Sequence, residues 1–121
     1  MIRVLHVLPR MPIGGVGAFL INTQSTIDRN TFIFDYLVIE NVPDSLFPNT
    51  VKRMGSKVFL LNDTLSLMNS FRIIKDLSSF FREYAKEYDI VHLHSANVGR
   101  PMPTWNINTT FYSYGDNCNF Y

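Results

Sequence analysis

The chain has 121 residues, of which 46% are hydrophobic and 17% charged, with a net charge of +1. That length fits one domain or part of one, at roughly 100–200 residues per domain, and that balance fits a packed core, not a disordered tail. No clustered basic face marks a nucleic-acid partner, the lone Cys118 excludes a disulfide within this chain and a multi-cysteine zinc site, and no apolar run approaches the roughly 20 residues of a membrane span.

The stretch from Ile2 to Asp28 organises everything after it. Ile2, Val4, Leu5, Val7 and Leu8 form an apolar run, as a parallel strand covered on both faces would. Arg3 and His6 interrupt it and Pro9-Arg10 stop it, so it does not read as a secretion signal; a cytoplasmic location is expected. Without such a signal, the acceptor patterns at Asn62-Asp63-Thr64 and Asn108-Thr109-Thr110 read as chance. A loop from Pro9 to Gly17 carries Gly14, Gly15 and Gly17. A helix from Gly17 to Ile27 follows, with Leu20, Ile21, Gln24 and Ile27 on one stripe. A strand, a glycine loop and a helix in that order place backbone N–H groups where they suit phosphate or sugar hydroxyls.

Thr31 to Ile39 reads as the second strand, rich in β-branched and aromatic residues, with Glu40 just past its end. A short helix over Asn49 to Met54 is stopped by Gly55. Lys57 to Leu61 is the third strand, and Asn62 to Asn69 a mobile loop. Ser70 is expected to cap the helix Phe71 to Lys86. That helix buries Ile73, Ile74, Leu77, Phe80, Phe81 and Tyr84 and turns charge outward. Asp89 to Leu93 is the fourth strand, ending at His94-Ser95. Strands separated by helices predict a Rossmann-like α/β fold, a parallel sheet with helices on both faces. Ligands then sit beyond the carboxyl ends of the strands, on the rim shared by the glycine loop, Glu40, Asn62 and His94. From Gly99 the chain changes character: it is rich in Asn, Tyr, Phe, Thr and Pro, with Thr109 to Tyr114 as a candidate strand. Residues 1–100 thus read as a partial domain and 101–121 as an atypical tail, disordered or frameshifted.

Ile2 to about Gly99 resembles the start of a family 4 glycosyltransferase of the two-domain GT-B type. The residues that carry the likeness are Ile2-Arg3-Val4-Leu5-His6-Val7, the Gly14-Gly15-Val16-Gly17 loop opening a helix, the Lys57-Val58-Phe59-Leu60-Leu61 strand, and Tyr88-Asp89-Ile90-Val91-His92-Leu93-His94-Ser95 after an amphipathic helix. The resemblance implies a retaining transfer of sugar from a nucleotide-sugar donor to a glycan or lipid-linked acceptor. It implies no resident cofactor and no nucleic-acid partner, and it leaves room for peripheral contact with the inner face of a membrane. Bacterial surface polysaccharide assembly is the expected setting. It puts Gly14, Gly15, Val16 and Gly17 near the donor diphosphate and the transferred sugar. The family's donor-binding domain is not in this sequence, so the chain alone is expected to be inactive.

Each candidate residue also has a plainer reading. The glycines contact ligand or merely turn the chain. His94, Ser95 and Asn97 are acceptor contacts by position, or close a strand. Arg10 reaches a phosphate or is solvated. His92 and His94 share a strand face, yet no third ligand stands close in sequence, so no metal site is assigned. His6 reads as a satisfied core residue. Two rival functions remain: a nicotinamide dinucleotide-binding domain, whose third fingerprint glycine is replaced by Leu20, and a non-catalytic remnant.

Overall fold

The computed structural model describes residues 1–94 and 110–113. Five parallel strands, β1 (Ile2–Arg10), β2 (Phe32–Glu40), β3 (Val58–Leu60), β4 (Ile90–Leu93) and β5 (Thr110–Ser113), form one sheet in the order β3-β2-β1-β4-β5. The helices are α1 (Gly15–Thr26), α2 (Phe47–Arg53) and α3 (Ser70–Tyr84). The architecture is the expected α/β, Rossmann-like one. The strand β5 lies within the stretch expected for it, paired in parallel with β4; the rest of 95–121 lies outside the described residues.

Chain direction decides which face each helix covers. The path β1-α1-β2-α2-β3 moves outward in one direction, so α1 and α2 cover one face. There Leu20, Phe47 and Val51 pack on Val4, Leu8, Phe34, Tyr36 and Val38. The return from β3 past β1 to β4 puts α3 on the opposite face. Its Ile73, Leu77, Phe80 and Phe81 pack on Leu5, Val7, Leu37, Ile39, Val91 and Leu93. Alternate residues of β1 therefore serve two separate cores, which is why its sequence is apolar almost throughout. No helix among the described residues is long and apolar enough to cross a membrane.

Several boundaries differ from the sequence reading for local reasons. The first strand runs through Pro9 to Arg10. Val7 accepts from His94 N–H on the β4 side. Alternation puts the missing N–H of Pro9 on that same side, past the last residue of β4, so no bond of the β1–β4 ladder is lost. The first helix starts at Gly15, two residues early, so Gly15, Val16 and Gly17 make up its first turn. The second helix starts at Phe47 because Pro48 suits a first turn. Gly55 follows it at φ +97°, the left-handed conformation that glycine adopts without Cβ strain.

Ser70 is not the cap of α3. Its hydroxyl donates to the Ser66 carbonyl, and it is Ser66 that accepts from Asn69 N–H across a 3-10 turn at Leu67–Asn69. The turn adds a segment ahead of the helix and moves the capping role upstream. The loop between β3 and this turn is pinned along β2, beginning with Leu61 N–H on the Val38 carbonyl. Asp63 N–H bonds the Ile39 carbonyl, and Leu65 N–H bonds the Glu40 carboxylate at 2.7 Å.

The amino-terminal end of the sheet is closed by Asp35, a buried carboxylate inside β2. It accepts from Tyr88 Oη at 2.8 Å, Arg3 Nη2 at 3.2 Å and Lys57 N–H at 2.9 Å. The Arg3 guanidinium also lies over the Tyr88 ring, 4.9 Å from its centroid. One side chain thus ties together the starts of β1, β3 and β4. Replacing Asp35 with Ala removes the acceptor that a phenol, a guanidinium and a peptide N–H share. Urea unfolding of Asp35→Ala is expected to show a loss of about 3–5 kcal/mol, against about 1 kcal/mol for Tyr88→Phe.

Candidate functional site

The opposite, carboxyl-terminal end of the sheet carries the glycine loop. Beyond Arg10 the chain leaves the sheet at Met11, whose N–H bonds the Glu40 carbonyl at 2.9 Å and whose side chain is buried. Ser45 then fixes the loop from the other side. Its hydroxyl donates to the Pro12 carbonyl and accepts from Phe47 N–H at the start of α2. Gly17 closes the contact by packing: a Cβ there would meet Pro12 Cβ at 3.0 Å and the Phe47 ring at 3.4 Å.

Gly14 and Gly15 differ from Gly17. A Cβ on either meets nothing within 4 Å among the described residues. Neither has the positive φ that requires glycine; among described glycines only Gly55 does. The fold's own packing therefore gives no reason for glycine at these two positions. They sit at the mouth of α1, whose first turn has no acidic residue and whose cap makes no side-chain bond. The first backbone bond of the helix runs from Ala18 N–H to the Gly14 carbonyl. The N–H groups of Gly15, Val16 and Gly17 precede that ladder and face an anion-favouring end.

A pocket of about 330 Å³ opens here, lined by Leu8 to Val16 and by His94. The loop and the end of β4 thus share one rim, because β1 and β4 pair in parallel with Val7 opposite Leu93. Ser95 and Asn97 lie outside the described residues. Arg10 and Glu40 also stand on this rim, and they are bound to each other: Arg10 Nε lies 2.8 Å from Glu40 Oε1. The guanidinium is therefore not simply solvated. It is held beside the loop by a carboxylate with which an incoming phosphate would compete.

The fold also assembles a group that separate sequence segments conceal. His6 on β1 stands directly opposite His92 on β4 in the strand register, and His94 follows on the same face. His6 Nδ1 and His94 Nε2 are 3.0 Å apart, one donating to the other. The His92 and His94 rings stack at 4.2 Å between centroids. One ring nitrogen from each of the three histidines falls within a 4.8 Å span. His6 is not fully satisfied: its Nε2 is buried with no hydrogen-bond partner among the described residues. Phe34 and Tyr36 wall it in, with ring centroids at 4.5 and 5.3 Å.

Burial sets the charge of this cluster. It pushes His6 down to about 2, with His94 and His92 adding to the effect. Burial and His92 push His94 down to about 4, and burial lowers His92 as well. All three are neutral at pH 7. A neutral imidazole in the fold and an ordinary one, with pKa about 6.5, in the unfolded chain mean that the unfolded state binds more protons below pH 6.5. The associated stability is fully present above pH 6.5 and is lost as pH falls below it. His6 and His94 each contribute a slope of about 1.4 kcal/mol per pH unit between pH 6.5 and 5. Urea midpoints of the chelator-treated protein at pH 7, 6 and 5 are expected to fall accordingly; a flat profile would contradict the buried neutral cluster. Comparison with protein-family profiles and with curated proteins returns no match for this chain, so its function rests on the chemistry of this rim.

Proposed function

We propose that the rim formed by Gly14, Gly15, Val16, Gly17 and His94 is the acceptor-side wall of a nucleotide-sugar-dependent, retaining glycosyltransferase. The observation that carries the reading is the open space at Gly14 and Gly15. Glycine at two positions where a side chain would meet no atom of the described residues is explained by a ligand that occupies that space. A diphosphate set there meets the uncapped first turn of α1, whose fixed N–H dipoles stabilise charge building on a leaving phosphate. His94, at the edge of the same pocket, is placed to hydrogen-bond a sugar hydroxyl.

Two further observations agree. Ile13, Val16 and Phe19 stand exposed beside the loop, an apolar fringe suited to a second lobe or an acceptor closing over the cleft. The dinucleotide reading fares worse. Its ribose-binding acid would be Glu40, whose two carboxylate oxygens are taken by Arg10 and by Leu65 N–H.

Amide NMR of the chain during titration with UDP, UDP-glucose and NAD⁺ tests the proposal. Shifts at Gly14 to Gly17 and at the His94 ring are expected with the two uridine compounds at about millimolar concentration. Gly15→Val should fold, since its added carbons enter open space, and should lose those shifts. Shifts with NAD⁺ alone, or none with any of the three, would overturn the proposal.

A further inference from the structure

The geometry points to a transition-metal site in this protein formed by His6, His92 and His94. Three imidazoles with one nitrogen each inside 4.8 Å are close to the arrangement a small cation needs. Zinc held at about 2.0–2.1 Å by tetrahedral nitrogens spaces them roughly 3.3 Å apart. The closest pair here, His6 Nδ1 and His94 Nε2, is already 3.0 Å apart. The remaining approach, from at most 4.8 Å, is under about 1.5 Å and is within reach of side-chain torsions.

A second observation is independent of that spacing. His6 is 4% exposed, and its Nε2 has no hydrogen-bond partner. A buried polar atom left unpaired is costly; among the described residues the only other such side-chain atom is Asp63 Oδ2, while other buried polar side chains are paired. Gln24 donates to Ser56 at 2.7 Å and accepts from Tyr36 at 2.8 Å. Asp35 is filled by three donors. In the histidine group, one nitrogen of the buried His6 ring faces His94 and the other, Nε2, has no partner among the described residues.

The donor chemistry selects the ion. Three neutral nitrogens with no carboxylate among them suit Zn²⁺, Co²⁺, Ni²⁺ or Cu²⁺, and disfavour Mg²⁺ and Ca²⁺, which prefer oxygen. Three protein ligands leave a fourth position for water or a ligand atom. His94 also lines the pocket beside the glycine loop, so that position stands next to the proposed ligand cleft. The metal inference needs none of the glycosyl-transfer reading, and its probe is the metal alone.

The test takes the full 121-residue chain, treated with chelator and then dialysed. Calorimetric titration with Zn²⁺ is expected to show one equivalent bound, and Mg²⁺ none. Co²⁺ is expected to give the visible bands of a four- or five-coordinate nitrogen site. Ring NMR of the wild-type chain should show all three histidines shifting together with Zn²⁺, a readout that needs no variant. His92→Ala and His94→Ala should each weaken Zn²⁺ more than about 100-fold, beyond the 10–100-fold typical of groups that only support a ligand. Cys118→Ser should leave affinity unchanged. Absence of saturable Zn²⁺ binding to the wild-type chain, or affinity that survives His92→Ala combined with His94→Ala, would overturn the inference.

Discussion

The whole arrangement depends on β1 being hydrogen-bonded in parallel on both sides. Eight of its residues have partners in β2, from Ile2 opposite Phe32 to Arg10 opposite Glu40, and four have partners in β4. A strand so placed cannot slip by one residue without turning every side chain to the wrong face. It would exchange the residue sets packed against the two helical layers and take Arg3 away from Asp35 and His6 away from His92. The register that holds these cores also brings His6 beside His92 and the exit of β1 beside the exit of β4.

Parallel pairing also makes the two ends of the sheet chemically different. All strands start at one end, where Asp35 gathers Arg3, Tyr88 and the Lys57 N–H into a closed, satisfied network. All strands finish at the other, where α1 begins without a side-chain cap and two glycines leave free space. In parallel α/β sheets ligands bind beyond the carboxyl ends of the strands, which is the end where the proposed site stands. The Arg10–Glu40 pair stands at that end: the charges on this rim are engaged with one another until something displaces them.

Polar groups inside the fold divide in a similar way. The Tyr36–Gln24–Ser56 chain links β2, α1 and the turn after α2 through two short bonds, and burial raises the Tyr36 phenol well above its ordinary range. That chain is complete and serves to position helices on the sheet. The histidines touch, stack and hold themselves neutral, but they do not satisfy His6. Completed networks build the scaffold; among the described residues the buried side-chain atoms without a partner are His6 Nε2 and Asp63 Oδ2, and it is the first that sits in a cluster of potential metal ligands.

Sequence alone determined the element types, the parallel sheet and the rim that carries the glycine loop. It did so because hydrophobic period, glycine and proline positions are local properties of the chain. It carried the α3 core residues Ile73, Leu77, Phe80 and Phe81 for the same reason. Only the tertiary structure decided three things. Gly17 packs against Pro12 and Phe47 while Gly14 and Gly15 pack against nothing. Asp35, a charge amid an apolar strand and so a readable anomaly, is the hub of the opposite end. His6 completes a cluster with His92 and His94, 86 and 88 positions away, because strand register is set by packing between distant segments and is not written in the spacing of either one.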